Sequence, residues 1–217
     1  MKPKVKICGI TNREDAVACV RFGADALGFN FYSKSPRYIE PTDAKRIADS
    51  LPSEVLKVGV FVNESIEKVL QVVDCVGLDA IQLHSEETPD FIKALKAKTN
   101  RVLIKAFRIG EEFSLKMLDE FDCDYFLLDS YSHDAFGGTG NTFDWEVARR
   151  ISSSYSKVYL AGGLSVMNVT EAIRKVEPYG VDVCSGVEKQ KGIKDLELVR
   201  CFIELVKGGG SDEFRAQ

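Results

Sequence analysis

Long hydrophobic runs are absent from this sequence of 217 residues, and none approaches the roughly 18 apolar residues that mark a membrane-spanning helix. The first apolar strand pattern begins within a few residues of Met1, so we expect no signal peptide. Basic residues are not in excess, because the formal net charge is -4, whereas nucleic-acid-binding proteins carry a basic patch or stripe. We therefore expect a cytoplasmic protein that contacts neither a membrane nor a nucleic acid.

Closely spaced cysteines are also absent. The six cysteines are scattered along the chain and form no Cys-x-x-Cys pair. A zinc site and a disulfide framework both require denser spacing, so we expect neither. Reduced thiols and no bound metal are the expectation for a cytoplasmic chain.

Eight short apolar runs recur along the chain, and an amphipathic stretch separates each run from the next. The runs are Val5–Cys8, Ala26–Asn30, Val58–Asn63, Ala80–His84, Val102–Lys105, Tyr125–Asp129, Val158–Ala161 and Val181–Cys184. The stretches with helical periodicity are 12–22, 41–51, 65–73, 88–97, 111–121, 143–152, 166–176 and 195–207. Repeated βα units of this spacing predict the α/β class and a (β/α)8 TIM barrel with eight parallel strands. We expect one domain over 1–207 and a flexible glycine-rich tail over 208–217.

Barrels of this kind place their chemistry at the carboxyl ends of the strands. The polar residues at these ends are Cys8, Asn30, Asn63, His84, Asp129 and Ser185. Two long loops, at 31–38 and 131–140, follow the second and sixth strands on the same face, where substrate-covering loops belong. This face is therefore the expected position of the active site.

Glycine-rich turns follow the seventh and eighth strands. Gly162 and Gly163 follow the seventh strand, and Ser185 and Gly186 follow the eighth. Glycine lets backbone N–H groups approach a ligand, and barrels commonly bind phosphate between these two loops. A Gly-Gly pair is also an ordinary tight turn, but small residues after both strands favour a phosphate site. The predicted ligand is a phosphorylated small molecule.

Cys8 and Asp129 form a candidate base–acid pair. Cys8 ends the first strand before Gly9, so its thiol faces the barrel mouth, and Lys6 points to the same side. A cysteine in this position is either a base with a lowered pKa or a small buried hydrophobe. Asp129 ends an otherwise apolar strand and is either an acid or a cap of the next segment. A base and an acid on different sides of the ring suit an isomerisation.

Three further polar residues are candidates for substrate contact. Arg37 lies in the loop after the second strand and is either a bidentate partner of a carboxylate or a solvated loop residue. His84 ends the fourth strand and Asp182 lies within the eighth. Both are either supports of the polar network or catalytic groups.

Several motifs, taken together and in order, resemble those of phosphoribosylanthranilate isomerase. They are Val5-Lys6-Ile7-Cys8-Gly9-Ile10-Thr11, Gly59-Val60-Phe61-Val62-Asn63, Ile81-Gln82-Leu83-His84, Gly138-Thr139-Gly140, Thr142-Phe143-Asp144-Trp145, Gly162-Gly163-Leu164 and Asp182-Val183-Cys184-Ser185-Gly186-Val187-Glu188. The resemblance implies an enzyme of tryptophan biosynthesis that catalyses an Amadori rearrangement without a cofactor. It implies that Cys8 is the general base, Asp129 the general acid and Arg37 the partner of the anthranilate carboxylate. It further implies that backbone amides of the last two loops hold the phosphate. For the assembly, we expect a monomer or homodimer.

The chain departs from the usual family pattern at three positions. Ser85 follows the strand-four histidine where glycine is usual, Cys184 replaces the first of two serines, and Asn141 stands where lysine is common. Two other functions compete with the isomerase. An aminoaldose isomerase of the same fold uses two aspartates, which Cys8 disfavours. A non-enzymatic binding protein has no need for both Cys8 and Asp129.

Overall fold

Eight parallel strands close into a barrel, as the sequence predicts. The structure is a computed structural model that describes residues 2–109, 113, 115–130 and 145–208. The strands are β1 (Lys4–Cys8), β2 (Ala26–Asn30), β3 (Leu56–Phe61), β4 (Ala80–Leu83), β5 (Val102–Ile109), β6 (Tyr125–Ser130), β7 (Val158–Leu160) and β8 (Gly180–Val183). They are hydrogen-bonded in chain order, and β1 pairs with β8 to complete the ring. The predicted loop at 131–140, Asn141 and the tail beyond Gly208 lie outside the described residues.

Helices surround the barrel. They are α1 (Arg13–Phe22), α2 (Pro41–Ala48), α3 (Ile66–Val76), α4 (Pro89–Lys96), α5 (Trp145–Ser154), α6 (Val169–Val176) and α7 (Leu196–Lys207). Both ends of α1 are capped, because Asn12 accepts a hydrogen bond from the Asp15 N–H and Gly23 adopts a left-handed φ of 105°. The α-helix expected at 111–121 differs in the structure, where the described residues of this segment contain the 3-10 helix Leu115–Glu120.

A short antiparallel ribbon after β8 was not predicted. It consists of β9 (Glu188–Gln190) and β10 (Ile193–Lys194). Gly192 turns the chain between them with a φ of 81°, a conformation that favours glycine. The ribbon matters because it brings Glu188 and Lys194 to the mouth of the barrel.

The core has two apolar layers that follow from side-chain alternation along the strands. Residues such as Ile7, Leu27 and Leu128 face outward and pack against the helices. Residues such as Val58 and Leu127 face the barrel interior. Each layer excludes water, and the polar inward-facing residues are concentrated near the carboxyl ends of the strands. Within the described part of the chain, no helix is long and apolar enough to span a membrane.

Tyrosine rings occupy the amino-terminal end of the barrel. Tyr125, Tyr159 and Tyr179 contact one another with ring centroids 5.3–5.8 Å apart. Rings at such separations pack favourably in tilted or edge-to-face pairs. They fill that end of the interior and leave the opposite end for the functional site.

Candidate active site

A cavity of about 290 Å³ lies at the carboxyl ends of the strands. Of the predicted site residues, those that line this cavity are Cys8, Arg37, His84, Asp129, Gly162, Gly163, Asp182 and Ser185. Gly186 lies directly behind it, against Leu164. Asn30 also lines the cavity, whereas Asn63 does not: its side chain accepts a hydrogen bond from the Glu86 N–H at 3.3 Å. The topology therefore brings together residues that are far apart in sequence.

Cys8 carries an acidic thiol at the cavity floor. The residue is 9% exposed, and Gly28 on β2 leaves room for it, because a Cβ there would lie 2.8 Å from the Cys8 Sγ. The Cys184 side chain and the cations Lys6 and Lys194 favour the charged form of the Cys8 sulfur, and His84 adds to their effect. Together they lower the pKa of Cys8 well below its usual range, against the effect of burial. Cys8 therefore favours the thiolate, the form that accepts a proton.

Lys6 lies below Cys8 and is completely buried. Its Nζ is 2.8 Å from Asp182 Oδ1, so this lysine pairs with a carboxylate. Burial opposes the charge of Lys6, but Asp182 and Cys8 outweigh it and raise its pKa. Burial raises the pKa of the Asp182 carboxyl to about 6, although Lys6 favours ionisation. Asp182 thus fixes the cation beneath Cys8 and supports the polar network.

Asp129 contacts His84, which directly follows β4, and His84 in turn contacts Gln82 within β4. Its Oδ2 is 3.2 Å from His84 Nε2, and His84 Nδ1 is 2.7 Å from the amide of Gln82. Gln82 is fully buried, so its amide orients the imidazole. A Gln82 amide that donates to Nδ1 leaves the proton on Nε2, where it points at the Asp129 carboxylate. His84 is thus positioned to donate a hydrogen bond to the Asp129 carboxylate.

The loop that follows β4 is held by a buried ion pair. Lys105 Nζ lies 2.9 Å from Glu87 Oε2, with both side chains at most 3% exposed. The Glu87 carboxylate also accepts hydrogen bonds from the N–H groups of Asn63 and Ser85, at 3.0 Å each. Ser85 therefore fits this turn through its backbone. The contacts fix the chain directly after His84.

Arg37 is paired with a residue that sequence reasoning missed. Its Nε and Nη2 contact the Glu188 carboxylate at 2.7–3.1 Å. Lys194 Nζ lies 3.1 Å from the same carboxylate. Burial opposes the charge of Glu188, but Arg37 and Lys194 outweigh it and lower its pKa. The pair holds the guanidinium over the cavity, and Nη1 donates no hydrogen bond within the described part of the protein.

The loops after β7 and β8 carry backbone N–H groups beside the cavity. Gly162 and Gly163 have left-handed φ values of 79° and 63°, which other residues rarely adopt. Among the described residues, no acceptor in the protein pairs with their N–H groups. Gly186 packs on the neighbouring loop so closely that a Cβ there would overlap the Leu164 carbonyl oxygen. Unpaired N–H groups on adjoining loops are suited to a phosphate.

Residues that sequence reasoning missed at this site are Gln82, Glu87, Lys105, Glu188 and Lys194. Gln82 and Lys105 carry a usable signal, because each is a polar residue inside an otherwise apolar strand. Such residues are buried only with partners. Glu188 and Lys194 carry no such signal, since each lies in a short polar segment.

The barrel, the acidic thiol and the paired loops with free N–H groups define a (β/α)8-barrel protein with a site suited to a phosphorylated ligand. A family model described as N-(5'phosphoribosyl)anthranilate (PRA) isomerase matches residues 5–205. The chain belongs to this family. It is 47% identical over 212 residues to the N-(5'-phosphoribosyl)anthranilate isomerase of Pelobacter propionicus, covering 98% of this chain and 99% of that protein.

Solved structures agree with this membership. One similar structure is a phosphoribosyl anthranilate isomerase in complex with reduced 1-(o-carboxyphenylamino)-1-deoxyribulose 5-phosphate, with 41% identity and a TM-score of 0.82. Another holds monomers generated from the dimeric enzyme of Thermotoga maritima, with 40% identity and a TM-score of 0.81. Each comparison covers 95% of this chain and 99% of the other.

Proposed function

We propose that the chain converts N-(5'-phosphoribosyl)anthranilate to 1-(2-carboxyphenylamino)-1-deoxyribulose 5-phosphate in tryptophan biosynthesis. The observation that carries the proposal is a single cavity, in a chain of this family, lined by an acidic thiol, a carboxyl group and unpaired loop N–H groups. The thiol is matched to the C2' proton, the carboxyl group to the ring oxygen, and the loop N–H groups to the phosphate.

The reaction is proposed to be an Amadori rearrangement by general acid–base catalysis. Asp129 donates a proton to the furanose ring oxygen, the C1'–O bond breaks, and the nitrogen lone pair forms an iminium bond to C1'. The Cys8 thiolate then takes the C2' proton, and the released electron pair forms the C1'=C2' bond while nitrogen recovers its lone pair. The enol gives the C2' ketone when its hydroxyl proton is lost and C1' is protonated.

The remaining residues position the substrate. We assign the phosphate to the N–H groups of Gly162, Gly163 and Gly186, beside Ser185. Arg37 supplies its outward edge to the anthranilate carboxylate, while Glu188 holds the inner edge. His84 stabilises the Asp129 carboxylate after proton transfer, and Asp182 keeps Lys6 charged under Cys8. In this scheme the reaction uses neither metal nor cofactor.

The proposal also covers the domain organisation, assembly and localisation of the protein. We expect one domain over 1–207, supported by the closure of β1 on β8 and by α7, whose carboxyl end at Lys207 contacts Pro3 O at 3.1 Å. We also expect a monomer or homodimer in the cytoplasm. Sedimentation velocity of the full chain distinguishes these two assemblies.

The first test is turnover of freshly prepared phosphoribosylanthranilate, followed by loss of its fluorescence. We expect Cys8→Ser and Asp129→Asn each to lose roughly 10²–10⁴-fold in kcat, because a hydroxyl is a poor base and an amide donates no proton to the ring oxygen. Cys75→Ser, an exposed position on α3, is the control and should be unaffected. A loss below about tenfold removes either residue from its proposed role, and a folded wild type without turnover contradicts the substrate.

A further inference from the structure

Cys8 and Cys184 face each other across the seam of the barrel. The β1–β8 register pairs Lys6 with Asp182 and Ile7 with Val183. Continued by one residue, the register places Cys8 beside Cys184. Neighbouring strands lie about 4.8 Å apart, which is within the roughly 4.4–6.8 Å between Cα atoms that a disulfide spans.

Both side chains also line the cavity. Asp182 faces the barrel interior, and side-chain alternation gives Cys184 the same direction. The Cys184 sulfur leans toward β1, because a Cβ placed on Gly9 would lie 2.9 Å from it. The Cys184 side chain lowers the pKa of Cys8, and Cys8 raises the pKa of Cys184. Their present state is reduced, since both are free cysteines.

The surroundings give the two sulfurs different roles. Cys8 lines the cavity and favours the thiolate, which is the form that attacks an oxidant. The Cys184 thiol donates a hydrogen bond to Glu188 Oε1 at 3.7 Å. Its interaction with Cys8 and its burial raise its pKa, so this thiol stays protonated. A protonated thiol beside a reactive thiolate is the arrangement of a resolving cysteine.

We propose that Cys8 and Cys184 form a peroxide-responsive redox pair that switches the active site off by a reversible disulfide. The Cys8 thiolate attacks one peroxide oxygen, the O–O bond breaks, and the products are Cys8 sulfenic acid and hydroxide. The Cys184 sulfur then attacks the sulfenic sulfur, its proton leaves with the hydroxyl group as water, and the S–S bond forms. Two sulfurs are oxidised and one peroxide is reduced. A dithiol reverses the reaction.

Other cysteines lack this arrangement. Burial raises the pKa of Cys19 and Cys123 to about 12 each, which disfavours their thiolates. Cys75 lies on α3 and Cys201 on α7, away from the cavity. The usual family pattern has serine in place of Cys184, so the pair is a property of this chain.

The test treats the reduced full chain with hydrogen peroxide, blocks the remaining thiols by alkylation, and maps the peptides after trypsin. We expect a linked species that joins Ile7–Arg13 to Val176–Lys189, each of which contains one cysteine. Its mass should equal the two peptides less two hydrogen atoms. The linkage should rise in parallel with the loss of isomerase activity, and dithiothreitol should reverse both.

Two variants sharpen the test. In Cys184→Ser, Cys8 has no resolving thiol, so peroxide should carry it to the sulfinic acid and dithiothreitol should no longer restore activity. Cys75→Ser should behave as wild type. Peroxide treatment that yields only separately modified Cys8 peptides overturns the proposal. The loss of activity rests on the proposed function, whereas the linked peptide does not, so the two failures are distinguishable.

Discussion

The acidity of Cys8 depends on residues that the sequence places far from it. Lys6 is two positions away on the same strand, whereas His84, Cys184 and Lys194 come from other parts of the fold. A thiol in a buried position normally has a raised pKa, as Cys19 shows. One hydrogen bond and several cations reverse that tendency at Cys8. The effect of each neighbour can therefore be measured on one sulfur.

We expect Cys184→Ala to raise the pKa of Cys8 by about one pH unit, because the variant removes one hydrogen bond to a charged group, worth roughly 1.5 kcal/mol. The measurement is the rate of iodoacetamide labelling of the peptide Ile7–Arg13 as a function of pH. Labelling of Cys75 in the same samples is the internal control. An unchanged midpoint for Cys8 shows that Lys6, Lys194 and His84 alone set its acidity.

For single residues, the sequence predicted which side chains line the cavity better than it predicted their hydrogen-bond partners. Cys8, Asp129 and Asp182 line the cavity because strand alternation and the carboxyl-end rule determine where a residue of a barrel strand points. The partner of Arg37 was not predictable. Glu188 lies more than a hundred residues away in a ribbon whose position depends on the closed barrel. Contacts of this kind follow from tertiary structure.

The loops after β7 and β8 depend on each other for their shape. Gly186 contacts the backbone of Leu164 and Ser165. On the first loop, Asn168 accepts a hydrogen bond from the Ser165 N–H at 2.8 Å and donates one to the Gly163 carbonyl at 2.9 Å. The first loop is therefore rigid and the second lies against it. A shift of either loop displaces the N–H groups assigned to the phosphate.

We expect Gly186→Ala to raise both the KM and the inhibition constant of inorganic phosphate by about tenfold or more, equivalent to roughly 1.4 kcal/mol. The new Cβ overlaps the Leu164 carbonyl, which belongs to rigid backbone, so the loops must separate. Gly77→Ala is the control, because it strains a left-handed glycine at the end of α3 without a steric clash. It should lower the Tm and leave phosphate inhibition unchanged. If the two variants raise the KM and the phosphate inhibition constant equally, Gly186 has no local role at the phosphate site.

Elements were predictable where periodicity is strong. All eight predicted strands are present. Their alternating side chains pack outward against the helices and inward within the barrel. The ribbon of β9 and β10 escaped prediction because its strands are three and two residues long and largely polar. Segment 115–120 forms a 3-10 helix instead of part of an α-helix. Six residues give too short a pattern to distinguish the two.

At the scale of the whole molecule, aspartates connect three pairs of consecutive strands. Asp25, Asp79 and Asp124 each lie directly before a strand and accept a backbone hydrogen bond from the strand before it, at 2.8–2.9 Å. Asp25 has an additional role. It contacts Lys4 Nζ at 2.8 Å and Lys207 Nζ at 2.5 Å. One carboxylate thereby joins the first strand, the second strand and the last helix.

Charge on Asp25 therefore stabilises the closed barrel in a pH-dependent way. Burial opposes the charge, but the ion pairs with Lys207 and Lys4 outweigh it and lower the pKa of Asp25. Because the folded-state pKa lies below the unfolded value of about 3.9, the stabilisation is fully present above that pH. It is lost as the pH falls through the folded-state pKa.

We expect Asp25→Asn to lower the free energy of unfolding by about 2 kcal/mol at neutral pH, the size of a hydrogen bond to a charged group. Urea unfolding followed by the fluorescence of Trp145 measures it. Asp49→Asn, which breaks an exposed ion pair with Lys45, should change stability by less than about 0.5 kcal/mol. The difference between wild type and Asp25→Asn should narrow as the pH falls below about 4. If this difference in the free energy of unfolding persists in acid, the amide of Asp25→Asn destabilises the protein for steric reasons. The ion pairs of Asp25 then do not hold the ends of the barrel together.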